Sequence, residues 1–231
     1  MTYRFMRWLV RFIARTYLAG GLLEVDGVEN VPRSGALLVC GNHTSTVDPP
    51  LLPAFLPRVD SWSMGKKEYF DNWFVNWLFR RYHAFPVVRH TADRAALRRA
   101  TEILRAGKVL VLYPEGTRIT QGGLHRPEPG AGFLAKLTGA PILPVGLIGT
   151  REAFPKGSWL PRRHRVEIRF GKPFKLRTEP RGRSENQALA DAIMLKVAEL
   201  LPPELRGVFS DLEGWRQRVG SLIEPEDDSA R

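Results

Sequence analysis

The chain has 231 residues, 43% of them hydrophobic and 26% charged, which fits one main folded domain with a small appendage and excludes disorder, collagen and coiled coil as descriptions of the whole. Its 35 Lys+Arg against 24 Asp+Glu leave a net charge of +11, so its partners are expected among polyanions: nucleic acid, anionic lipid or a phosphate-bearing substrate. The single cysteine, Cys40, excludes a disulfide framework and a cysteine-built zinc cluster.

Residues 1–18 read as a helix. At 100° per residue Arg4, Arg7, Arg11 and Arg15 fall within an arc of about 80°, opposite Phe5, Met6, Leu9, Val10, Phe12, Ile13 and Tyr17. This basic amphipathic pattern predicts a helix lying in a lipid interface, with the four arginines on anionic head groups; the plainer alternative is a core-packed helix with a solvated arginine face. The same arginines interrupt any signal-peptide core, and nowhere do about 20 apolar residues run without a charge. The expected placement is peripheral or monotopic on the cytoplasmic face of a membrane, without a transmembrane helix or signal peptide.

From about residue 21 the pattern alternates strand and helix. Strands are predicted over 23–28, 36–40, 109–113, 142–148 and 166–170, and helices over 93–106, 130–138 and 187–201. Asp48-Pro49 marks a helix start with Asp48 as N-cap, and Gly107 and Gly139 mark helix ends. Over 68–82, Phe70, Trp73, Phe74, Trp77 and Leu78 share a face that serves either a core or a membrane or acyl-chain surface. Residues 204–223 add a short helix before an acidic end at 224–231. The resulting division is an N-terminal basic helix over 1–20, a main domain over 21–205 and a C-terminal helix and tail over 206–231. The fold class is α/β, a mixed, mostly parallel sheet covered by helices.

In such sheets ligand sites lie beyond the carboxyl ends of the strands. Two polar loops fall there: Gly41–Val47, with His43 five residues before Asp48, and Pro114–Arg118. An imidazole fixed by a carboxylate is a general base. Gly116 lets backbone approach an oxyanion, and Thr117 and Arg118 suit a phosphate. Taken singly, the first pattern equally describes a loop histidine beside a capping aspartate, and the second a tight turn. If the two strands are neighbours, both loops share a pocket.

Together the loops resemble the glycerolipid acyltransferase family, 1-acylglycerol-3-phosphate acyltransferase type. Asn42-His43-Thr44-Ser45-Thr46-Val47-Asp48-Pro49 resembles its first block, Phe85-Pro86-Val87-Val88-Arg89 its second, Tyr113-Pro114-Glu115-Gly116-Thr117-Arg118 its third and Ile142-Leu143-Pro144-Val145-Gly146 its fourth. Gly65-Lys66-Lys67-Glu68 resembles a segment between the first two, and the resemblance spans about residues 20–175. The chain departs from the pattern at Val88 (often Asp), His83 (usually Gly), Tyr113 (Phe) and Glu128, where many relatives carry lysine.

The resemblance implies that His43 deprotonates a glycerol hydroxyl that attacks an acyl thioester of coenzyme A or acyl carrier protein, and that Asp48 orients His43. It also implies that Arg89, Glu115, Gly116, Thr117 and Arg118 form the acceptor's phosphate site, and that Pro144 shapes the acyl-donor side. Beyond that co-substrate no cofactor or metal is expected; a lysophospholipid acceptor, the acyl donor and an anionic membrane surface, with Trp73 and Trp77 joining the arginines there, are the partners. Cys40 is expected to be buried and inert. A lipid-surface protein without turnover is disfavoured by the His43/Asp48 pair. A nucleic-acid binder is disfavoured because the aromatics gather on an apolar face rather than between basic residues.

Overall fold

The computed structural model describes residues 2–18, 22–89, 91, 93–158, 160–177 and 183–224. Helix α1 (Tyr3–Ile13) begins on the Thr2 side chain and runs into a π-helical turn, Ala14–Leu18. There follow β1 (Leu23–Asp26), β2 (Leu37–Gly41), α2 (Asp48–Phe55), β3 (Ser61–Lys66), α3 (Trp73–Arg81) and β4 (Ala84–Val87). The chain continues through α4 (Arg94–Arg105), β5 (Val109–Leu112), α5 (Gly130–Thr138), β6 (Ile142–Ile148), α6 (Thr150–Ala153), β7 (Val166–Phe170), α7 (Arg183–Glu199) and α8 (Leu212–Val219).

The seven strands form one sheet in the order β1-β7-β6-β2-β5-β3-β4. The β6–β7 pair is antiparallel and every other pair is parallel, so the predicted mixed, mostly parallel α/β sheet is what forms. The central strands β2 and β5 are buried along their whole length, as strands covered by helices on both faces must be. One face packs Leu38, Leu110 and Ile142 against α4, α5 and α7. The other packs Val39, Val111 and Val145 against Leu51, Leu52 and Phe55 of α2.

The segment after α7 is part of the same core: Phe209 is fully buried and Leu176 pairs with Ile223. The expected boundary near residue 20 and the tail beyond Glu224 lie outside the described residues.

Strands β3 and β4 and the short α6 are additions to the sequence expectation. Asp93 caps α4 as expected, accepting from the Ala96 amide. Asp48 does not cap α2; it is the first helical residue, and its carboxylate turns back to the preceding loop. The expected helix over 68–82 begins later, at Trp73, where Asn72 accepts from the Phe74 and Val75 amides at 3.0 and 3.1 Å.

Helix α1 is amphipathic but reversed in orientation. Arg7 is 4% exposed and donates to the carbonyls of Arg58 (2.6 Å), Ala54 (3.2 Å) and Leu56 at the carboxyl end of α2. Arg11 donates to Ala54 and Leu56. Those carbonyls have no partners within their own helix, and the helix dipole favours a cation there. Arg7 and Arg11 are therefore not available to lipid, whereas Arg4 and Arg15 remain exposed. The outward face of α1 carries Phe5, Trp8 and Phe12, with Trp8 57% exposed.

Candidate active site

Strands β2 and β5 are adjacent, with Cys40 opposite Leu112, so the loops that leave them meet. The His43 amide donates to Glu115 Oε1 at 3.0 Å, and the His43 carbonyl accepts from the Ile119 amide at 2.8 Å. Asn42 fixes the first loop from the other side. Its amide nitrogen donates to the Leu147 carbonyl at 2.8 Å and its oxygen accepts from the Leu147 amide at 2.7 Å, so the side chain continues the ladder to β6.

His43 is 4% exposed and Asp48 is fully buried. His43 Nδ1 and Asp48 Oδ2 lie 2.9 Å apart, and the same oxygen accepts the amides of Thr44 at 2.8 Å and Ser45 at 2.7 Å. Three donors converge on this one oxygen and fix the ring through Nδ1, which leaves Nε2 outside the contact with Asp48. The Tyr113 ring stacks on the imidazole with centroids 4.4 Å apart.

The protein-family model described as Acyltransferase matches residues 22–148 of this chain. The chain belongs to the acyltransferase family. It is 29% identical over 144 residues to the 1-acyl-sn-glycerol-3-phosphate acyltransferase of Bacillus subtilis, covering 61% of this chain and 70% of that one. It is 26% identical over 208 residues to the protein of the same name from Pseudomonas aeruginosa, covering 88% and 77%. The crystal structure of the 1-acyl-sn-glycerophosphate (LPA) acyltransferase from Thermotoga maritima superposes with a TM-score of 0.67 at 26% identity, covering 86% of this chain and 79% of that one.

The acyltransferase differs from the sequence expectation at one of its motif residues. Glu115 is not a phosphate ligand. It is buried, and its oxygens accept the amides of His43 and His125, both at 3.0 Å, which clamps the two loops together. Burial pushes its carboxyl up to about 7, against the lowering effect of those two amides. Pro144 is the residue expected on the acyl-donor side. It lies inside β6 opposite Cys40, buried between the sheet and α7 beside Gly171. Gly116 is in the left-handed region (φ 68), and a Cβ there would press within 3.0 Å of Glu128 Cγ.

Arg118 and Thr117 continue from that turn, and Arg89 follows the end of β4 at the same edge of the sheet. Neither guanidinium makes a hydrogen bond or ion pair with another described residue. Cys40 is fully buried and burial pushes its thiol far up, so it carries no nucleophilic thiolate. No group of three or more His, Cys, Asp or Glu suited to a metal occurs among the described residues.

Several site residues escaped sequence reasoning. Thr150, fully buried at the start of α6, shares a hydrogen bond of 3.0 Å with Thr44. Ser45 donates to the Phe154 carbonyl at 3.0 Å. Both tie the first loop to the turn after β6, a contact across about a hundred residues of chain that no local pattern announces. A groove of about 500 Å3 between α4 and α5 is lined by Arg94, Arg98, Arg105, Phe133 and Leu137 among others and holds no motif residue.

Proposed function

We propose that this acyltransferase moves a fatty acyl group from a thioester, acyl-CoA or acyl carrier protein, to the free hydroxyl of 1-acylglycerol-3-phosphate, giving phosphatidic acid. The observation that carries the reading is the buried His43–Asp48 pair at the mouth of two clamped loops whose arginines, Arg89 and Arg118, are unengaged by other described residues. His43 Nε2 removes the hydroxyl proton as the oxygen attacks the thioester carbon. The imidazolium is balanced by Asp48 and returns the proton to the departing thiolate. No acyl-enzyme forms, because the acceptor hydroxyl is itself the nucleophile and Cys40 is buried and neutral. Arg118 and Arg89 hold the acceptor phosphate, with Thr117 as a further donor, while Glu115 and Gly116 set the shape of the loop. The exposed aromatic faces of α1 and α3 support work at a membrane surface, on the cytoplasmic side where thioester donors are made.

The test is thiol release from acyl-CoA or acyl carrier protein in vesicles, with 1-acylglycerol-3-phosphate, glycerol 3-phosphate and an uncharged-headgroup lysolipid as alternative acceptors. His43→Ala is expected to lower kcat by about 10²–10⁴. Arg118→Gln is expected to raise the acceptor KM with a smaller change in kcat. Full activity in His43→Ala removes the general-base assignment, and preference for glycerol 3-phosphate or the uncharged lysolipid replaces the acceptor.

A further inference from the structure

Two buried polar atoms at the His43–Asp48 pair have no hydrogen-bond partner among the described residues: Asp48 Oδ1 and the Tyr113 hydroxyl. Each is conspicuous for its own reason. Asp48 is fully buried, and its three donors converge on Oδ2, so its other oxygen is left without a donor among the described residues. Leaving such an atom unserved costs free energy, and buried polar groups of this kind are met by a protein donor or a bound water. The Tyr113 ring lies against the imidazole at 4.4 Å and 26°, on the sheet face that packs α2, and its hydroxyl is the unserved donor in the same neighbourhood. This chain has Tyr113 where the third block that it resembles has phenylalanine.

We propose that Tyr113 is a positioning residue for the acid–base pair: its hydroxyl donates, through one bridging water, to Asp48 Oδ1. The phenol remains a neutral donor throughout the working pH range, since burial first, and then the charge of Asp48, push its ionisation up. The bond draws electron density from the carboxylate, so Asp48 stabilises the His43 imidazolium less than a free carboxylate would. Tyr113 thereby keeps His43 a weaker, more readily deprotonated base.

The other titratable groups around the pair are accounted for. Glu115 faces the His43 backbone amide, Tyr82 donates to the Pro50 carbonyl at 2.6 Å, and Cys40 is a buried thiol at the end of β2. Arg7 and Arg11 lie at the far end of α2.

The test is Tyr113→Phe, which removes one oxygen and retains the stacked ring. The His43 imidazole is titrated by NMR in the full-length protein, and the pH profile of kcat/KM is measured alongside. A hydrogen bond is worth about 1 kcal/mol and one pH unit about 1.4 kcal/mol, so the His43 titration is expected to rise by about half a unit or more. The acid limb of kcat/KM moves up with it. In an Asp48→Asn background the same substitution is expected to leave the His43 titration where it was, because the carboxylate that carries the effect is gone.

Superimposable His43 titrations in wild type and Tyr113→Phe overturn the proposal, as does an equal shift in the Asp48→Asn background. The proposal rests on the acyl-transfer reading only for its consequence in turnover. The NMR titration reports the Tyr113–Asp48–His43 coupling even if His43 proves not to be the base, so the two failures are distinguishable.

Discussion

Glu115 shows how a motif residue can be legible in sequence and still be assigned the wrong work. Its place in Pro114–Arg118 marks it as part of the site, but a carboxylate is a poor neighbour for a phosphate, and the structure uses it to join loops instead. Its carboxyl titrates near 7 rather than at the usual carboxylate value, so the folded state binds this proton more tightly than the unfolded chain does. The stability tied to Glu115 is therefore full below about pH 4.5 and declines as the pH rises through 7. Glu115→Gln is expected to lower unfolding free energy by about 1–3 kcal/mol at acid pH, because its NH₂ meets a backbone N–H where an oxygen used to accept. It is also expected to flatten the decline between pH 4.5 and 7.5. Urea unfolding across that range checks both, and an unchanged pH slope would show that Glu115 is not the titrating group. His83 has a comparable history. It stands at φ 57 where the resembled family pattern usually has glycine, held by stacking on Tyr3 at 4.0 Å and Trp62 at 4.7 Å. No one-dimensional pattern encodes the two rings that compensate a left-handed backbone.

At the scale of elements, what sequence reveals depends on whether the signal is local. Strand β6 and helix α5 form where expected because their apolar runs are long and Gly139, at φ 61, ends α5 sharply. Strands β3 and β4 are missed because Ser61–Lys66 mixes serine, glycine and lysine and Ala84–Val87 contains Pro86; they form by pairing with each other beside β5 at the end of the sheet. The stripe on α1 illustrates a different limit. Helical periodicity establishes two faces but not which one docks, and here the carbonyl end of α2 takes the arginines. This makes Arg7 a structural cation. Arg7→Met is expected to lower stability by about 2–3 kcal/mol, since it leaves the Arg58 carbonyl without its charged donor and the Ala54 and Leu56 carbonyls with Arg11 alone. Arg11→Met is expected to cost less, as its bonds to Ala54 and Leu56 overlap with those of Arg7, and Arg4→Met close to nothing. Equal losses at all three positions in urea unfolding would mean that the arginines do not differ in burial, contrary to the clamp.

For the whole molecule, the orientation of α1 changes what the +11 charge is for. Two of the four stripe arginines are engaged inside the fold, so the N-terminal helix presents aromatic surface outward, flanked by Arg4 and Arg15. Helix α3 does the same with Trp73, which is 80% exposed, and with Phe74 and Trp77. The two helices are joined through Tyr3, which packs on Tyr82 and His83 just after α3. No described helix is long and apolar enough to cross a membrane; the membrane attachment proposed above would therefore use such faces in a surface-seated mode. Each large apolar side chain moved out of water contributes about 1.5–3 kcal/mol, against about 1 kcal/mol for an arginine near an anionic surface. The aromatics therefore outweigh Arg4 and Arg15, and membrane binding is expected to be mainly apolar. In vesicle flotation, Trp8→Ser with Phe12→Ser is expected to weaken binding by more than tenfold on neutral and anionic vesicles alike, with Trp73→Ser adding to the loss. Arg4→Gln with Arg15→Gln is expected to act only on anionic vesicles and to lose its effect at high salt. Binding that salt abolishes and that the serine variants leave intact would place the charge, not the aromatic faces, at the centre of membrane attachment.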